Sequence, residues 1–470
     1  MPVPTKNLEP EIQYMVVEVL VAEFEWLNSR IWLREHRADK HRVLSTLLSL
    51  RLACQSFGDA NIIKAVVFKE ITLQATVLNF NRLRRTGFLS IAPFVKKINF
   101  LPTPFNISLK LRGFTRALEI LSQHESDLPV RCKRHVATHW GHIPTTEAEV
   151  AAAFRNYGQQ AYMDQDIINS GELQCLWTAT LRTFRHANDF ELLSLFGRHP
   201  LDPSDDSGTL HCKSCEESKC TLYDRTCVSE SQMFRTAIQC LGSANAQIKS
   251  LTIHRTLAQH FNGGLSASWD LLDLSTLESF KFPDLEIVED DYEGDMAERD
   301  AAVETCLAQF LRKPLPSLRE WSVDHYVAYP RMPLPSLSHI FLPRLRFLTL
   351  GGILLRIPRL AQIVTSCVAL EDITLRDCHP QGPGGRRLED PGDEAWQPLF
   401  DALSQHPTLT HITIADEWDA VNNEGVIGPP CSPNTVGIEV YRVMLQTGMS
   451  AVRSPEIRGI WDAALHVYLG

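Results

Sequence analysis

One short apolar phrase recurs six times in the second half of the chain: an apolar residue followed at plus three and plus five by two more. It reads Ile248, Leu251, Ile253; Leu277, Phe280, Phe282; Leu318, Trp321, Val323; Leu345, Leu348, Leu350; Leu370, Ile373, Leu375; and Leu409, Ile412, Ile414, with an earlier copy at Val95, Ile98, Phe100. Successive side chains of a strand point to opposite faces, so the last two apolar residues of each phrase turn inward and their neighbours outward. One such unit cannot bury its apolar side alone. Stacked copies can, each strand pairing with the next in a parallel sheet while the returning segments, often helical, cover the back.

Successive copies start 29, 41, 27, 25 and 39 residues apart. The short intervals lie near the leucine-rich-repeat period and the long ones imply insertions. Several copies follow the turn phrases LPSL, LPRL and HPTL. The pattern predicts an α/β fold, an irregular leucine-rich-repeat-like solenoid with parallel strands over residues 241–430, with an open α/β sheet as the alternative. In the solenoid the recognition surface is the row of outward strand residues: Ser250, Thr252 and His254; Ser279 and Lys281; Glu320, Ser322 and Asp324; Phe347, Thr349 and Gly351; Asp372, Thr374 and Arg376; His411, Thr413 and Ala415. Of these His254, Lys281, Glu320, Asp324, Phe347, Thr349, Asp372, Thr374, Arg376 and His411 are the candidate substrate-facing residues. A plain solvated face is the bland reading of the same row.

With 470 residues, 44% of them hydrophobic and 22% charged, the chain has globular composition and room for two or three domains. Its net charge of -10 conceals an asymmetry: residues 1–140 carry 20 Lys/Arg against 12 Asp/Glu, leaving -18 for the remainder. Arg82, Arg84, Arg85, Lys96 and Lys97 are dispersed among apolar residues without a groove-reading motif, so no nucleic-acid partner is expected. No apolar run reaches the length of a membrane span and the start lacks the order of a secretory signal, which predicts an intracellular protein, cytoplasmic or nuclear, with no membrane partner. Cys175, Cys306 and Cys367 stand alone in apolar segments and read as small hydrophobes.

Residues 110–125 and 147–197 have helical spacing, and Phe68–Leu73 is a short strand or a closing turn. Residues 90–240 form a connecting region with a polar loop at 199–227, and 431–470 a C-terminal helical cap. Near the N-terminus Ile12, Val16, Val19 and Leu20, then Leu47, Leu50, Cys54 and Phe57, are spaced for two helices. Pro10 suits a first helical turn, where its missing N–H costs nothing.

The stretch LEPEI with Leu8, Pro10, Glu11 and Ile12, then Leu20, then Leu47, Leu50, Ala53, Cys54 and Phe57, resembles the F-box. Together with the repeat phrases, the chain is similar to the large fungal group of F-box and leucine-rich-repeat-like proteins. The resemblance implies an F-box-like helical module at 1–89 with an insertion at 21–46. It further implies docking on the Skp-type adaptor of a cullin-RING ubiquitin ligase through Leu8, Pro10, Ile12, Leu20, Leu47, Leu50, Cys54 and Phe57, while the repeats hold a protein substrate. A small helical module has more apolar side chain than it can bury alone, so a partner groove takes the surplus. In the alternative those residues pack on the repeats, making the chain a non-catalytic scaffold with a structural cap.

Other chemistry is weakly signalled. Cys212 and Cys215 form one Cys-x-x-Cys near His211, Cys220 and Cys227, but no matching second pair completes a zinc knuckle. Glu289, Asp291, Glu293, Gly294, Met296 and Asp300 fall near calcium-loop positions yet read better as an acidic insertion. Gly382 to Gly385 lacks the Lys-Ser/Thr of a phosphate loop. No nucleophile with its base is apparent, so neither enzyme activity nor a cofactor is expected.

Overall fold

The structure, a computed structural model, describes residues 10–28, 42–49, 61–85, 88–103, 109–123, 142–193, 228–254, 269–282, 310, 313–324, 332–333, 342–376, 378–380, 398–399, 401–403, 405–409 and 411–415. The chain forms two compact units, Met1–Ala246 and Gln247–Gly470.

The first unit opens with helices α1 (Pro10–Asn28), α2 (residues 42–49) and α3 (Asn61–Val67). They close on a small core of Val17, Val21, Phe24, Val43, Leu47 and Ile63. On α1 the buried positions are four and three apart, one helical face. Val16 and Val19 fall on another face and are exposed. Two apolar stripes share this helix, and spacing alone does not say which one the neighbours cover.

There follow β1 (Glu70–Gln74), α4 (Val77–Arg85), β2 (Lys97–Leu101), α5 (Leu111–Gln123), α6 (Glu147–Asn169), α7 (Glu172–Thr183), β3 (Asp189–Leu192) and α8 (Val228–Ser243). The three strands pair in parallel, with Ile71, Ile98 and Phe190 in one register row and Leu73, Phe100 and Leu192 in another. Trp177 of α7 lies on this apolar side, its ring 5.2 Å from Phe100. The expected helix over 147–197 is divided in two. Gly171, at φ 77, caps α7 in a left-handed conformation that suits glycine, and beyond Thr183 the chain turns into β3. The residues at 189–192 alternate in the strand period, and the sheet takes them.

A buried carboxylate ties this unit together. Asp164 of α6 accepts the Val77 N–H at 2.8 Å, the Thr103 hydroxyl at 2.7 Å and the Gln160 amide at 2.9 Å. It thereby caps the start of α4 from a different helix.

The second unit contains β4 (Ser250–Ile253), β5 (Ser279–Phe282), β6 (Glu320–Asp324), β7 (Met332–Pro333), β8 (Phe347–Gly351), β9 (Ile353–Leu355), α9 (Ile357–Ser366), β10 (Asp372–Arg376), β11 (His379–Pro380) and β12 (His411–Ala415). All six phrases fall on one open parallel row, β4-β5-β6-β8-β10-β12. The first residue of every phrase is buried, and so are the second and third from Leu251 through Leu375.

The backbone repeats with the phrase. The N–H groups of Leu277, Leu318, Leu345 and Leu370 each close a turn on the carbonyl three residues earlier, at 3.1, 3.3, 3.2 and 2.8 Å. One carbonyl then accepts two N–H groups of the next strand's start: Lys249 from Glu278 and Ser279, Glu278 from Arg319 and Glu320, Arg319 from Arg346 and Phe347, and Arg346 from Glu371 and Asp372. In the first unit Lys69 accepts from Lys96 and Lys97, and Lys96 from Asn188 and Asp189. The same bonding identifies two phrases that the sequence pattern passed over, Phe68, Ile71, Leu73 and Ala187, Phe190, Leu192.

After β6, β8 and β10 the chain makes a second short strand, and these pair in parallel in the order β11-β9-β7. Gly352, at φ 60, forms the corner between β8 and β9. Helix α9 then buries Ile357, Leu360, Ala361, Ile363 and Val364 and returns the chain to β10.

Candidate docking and recognition surfaces

Of the residues expected to dock a partner, Leu8, Leu50, Cys54 and Phe57 lie outside the described residues. Pro10 opens α1 and Ile12 follows within it. Leu20 is half-buried against the three-helix core, and Leu47, at 0% exposure, is part of that core. The structure therefore brings Leu20 and Leu47 together inside the module. Among the described large apolar side chains of the module, those left outside are Met15 at 64% exposure, Val16, and Val19 at 66% on α1, with Leu48 on α2. Positions 15, 16 and 19 are neighbours on one helical surface. Val16 and Val19 belong to the apolar spacing legible in the sequence and Met15 does not; of that stripe Leu20 turns to the core while Val16 and Val19 stay exposed.

The expected substrate-facing residues other than His254 fall at the strand positions that alternate with the apolar rungs. One register row holds Ser250, Ser279, Glu320, Phe347, Asp372 and His411, and the next holds Thr252, Lys281, Ser322, Thr349, Thr374 and Thr413. Asp324 and Arg376 flank Gly351 in a third. His254 follows β4 and is half-buried.

Lys281 and Glu320 pair across adjacent strands at 2.6 Å, and the Ser279 hydroxyl donates to Glu320 at 2.8 Å. Phe347 is partly exposed, with the Arg346 guanidinium 5.4 Å from its ring centroid. Thr374 donates to Asp372 at 3.4 Å. Along the strand starts runs a charged rim: Lys249 pairs with Glu278 at 3.4 Å, Arg319 with Glu278 at 3.8 Å, and Arg346 with both Glu371 oxygens at 2.8 and 2.5 Å. Its hydrogen bonds to Arg346 hold the Glu371 carboxyl below its ordinary pKa, and those to Glu371 raise that of Arg346.

Among the described residues this surface offers hydroxyls, paired charges and the Phe347 ring. Among the described residues no group of three His, Cys, Asp or Glu side chains could hold a metal ion. His211, Cys212, Cys215, Cys220 and Cys227, and the acidic stretch 289–300, lie outside the described residues. No described helix is long and apolar enough to cross a membrane. A scan of known protein families finds none that matches this chain, and no curated protein matches it.

Proposed function

We propose that the chain is the substrate-recognition subunit of a cullin-RING ubiquitin ligase. In this reading α1 and α2 dock a Skp-type adaptor and the outer strand rows of a leucine-rich-repeat-like solenoid hold a protein substrate. The observation that carries the docking half is the bare apolar surface of Met15, Val16 and Val19 beside a module whose own core is already filled. The solenoid half is supported by the turn and double hydrogen bond that recur at each phrase, and by the second parallel row at the next corner.

The test is co-purification of the full chain with a Skp-type adaptor. The double variant Met15→Asp, Val19→Asp alters exposed positions and leaves the core intact, so lost binding is not explained by unfolding. The docking role predicts loss of the adaptor in that variant and on changing Pro10 and Leu50 to polar residues. Adaptor binding that survives both changes removes the assignment.

A second reading is a scaffold in which these helices are only a cap, with Leu47 serving the module's own core rather than a partner. It predicts no adaptor binding and a lower melting temperature when α1 to α3 are deleted.

A further inference from the structure

The backbone bonds that join successive rungs also align the residues just ahead of the strands. Lys69 and Lys96 accept the doubled N–H groups in the first unit, as Lys249, Glu278, Arg319 and Arg346 do in the second. By that bonding Lys69, Lys96 and Asn188 stand at one rim position on three consecutive rungs, and Lys249, Glu278 and Arg319 are their counterparts.

In the second unit this position alternates in sign and the side chains meet: Lys249 with Glu278 at 3.4 Å, Arg319 with Glu278 at 3.8 Å, and Arg346 with Glu371 at 2.5 Å. In the first unit two lysines are neighbours and the third residue is an asparagine. Adjacent strands lie about 4.8 Å apart, a spacing at which like charges repel. Lys69 and Lys96 are exposed, and so are Arg185 and His186 in the turn that leads to Asn188. None of Lys69, Lys96 and Arg185 forms an ion pair with any described residue.

The acids of this unit's strands are engaged one row further along. Lys97 pairs with buried Glu191, and the buried Asn99 amide donates to Glu70. Burial opposes the charged form of Lys97, yet Glu191, Glu70 and Asp189 raise its pKa. The rim keeps its cations without the carboxylates that neutralise the same position in the second unit, and an anionic partner supplies that complement.

The dimensions of the row narrow the choice of anion. Three rungs extend about 10 Å, too far for one phosphate or sulfate to bridge and suited to a run of carboxylates. The net charge of -10 opposes a long polyanion such as nucleic acid, whereas a short acidic segment meets the rim alone.

We propose that Lys69, Lys96 and Arg185, with the Asn188 amide, bind a short run of aspartate or glutamate side chains in a partner polypeptide. The site uses no residue of the α1 surface and none of the second unit's strands.

Fluorescence anisotropy with the full chain at low ionic strength tests it with three labelled probes: a short capped Gly/Glu peptide, its Gly/Gln counterpart and a short single-stranded DNA. The Glu peptide should bind saturably and the Gln peptide should not. The double variant Lys69→Gln, Lys96→Gln removes two exposed charges and should weaken binding about tenfold. Lys249→Gln, on the paired rim of the second unit, should leave binding unchanged. Lys96→Glu restores the alternation seen at Lys249 and Glu278, so it should abolish binding without lowering the denaturation midpoint. Binding of the DNA without the Glu peptide would overturn the polypeptide source. Absence of saturable binding by the Glu peptide, or equal weakening by Lys249→Gln, would overturn the site.

Discussion

Asp164 is a carboxylate whose three donors come from α4, from the residues after β2 and from its own helix. Removing it strands a backbone N–H, a hydroxyl and an amide, so Asp164→Ala should lower stability by about 3 kcal/mol in denaturant titration. Asp164→Asn keeps an acceptor and should cost much less. Burial holds the Asp164 pKa above its ordinary value, despite the lowering effect of the Val77, Thr103 and Gln160 hydrogen bonds. The folded chain therefore takes up this proton at higher pH than the unfolded chain does. Wild-type stability relative to Asp164→Asn should rise as pH falls from neutral through that raised pKa, and an unchanged difference would remove the desolvation argument. Cysteine reactivity follows from the same burial, which raises the Cys240 thiol to about 12 and the Cys367 thiol to about 11. Iodoacetamide at pH 8 should label exposed Cys175 in the folded chain and leave Cys240 and Cys367 until unfolding, as mass spectrometry of labelled peptides would show.

At the scale of elements, each inward rung contributes stability and most rim charges contribute little. Trp321, buried on β6, packs in the row between Phe280 and Leu348. Trp321→Ala should cost about 3–5 kcal/mol. Glu371→Gln breaks an exposed pair with Arg346 and should leave the denaturation midpoint almost unmoved. These rungs were legible in sequence because the strand period writes inward and outward positions into neighbouring residues. The rung at Ala187, Phe190 and Leu192 was harder to read, since its first position is a small alanine and it directly follows a helix of similar apolar content. The row of β7, β9 and β11 left no readable signal. Two of its strands are only two residues long and contain proline, so their pairing depends on the stacking of whole turns of chain. Nor could spacing reveal that Asn99 and Glu191 would be buried, because their surroundings come from strands far apart in sequence.

For the whole molecule, the proposed function divides into two tasks. One is an apolar helical surface for an adaptor, and the other is a polar ladder for a substrate. The F-box resemblance pointed to the first through residues that divide between the module's core, as Leu20 and Leu47 do, and positions outside the described residues, as Leu50, Cys54 and Phe57 do. The surface proposed to dock the adaptor, Met15, Val16 and Val19, is exposed only because the helices close on the opposite side of α1. The most direct measurement is hydrogen exchange of the full chain with and without a Skp-type adaptor. The account predicts slowed exchange across the exposed side of α1 and in α2, with the strands of the second unit unchanged. No complex, or protection confined to the second unit's strands, would contradict it.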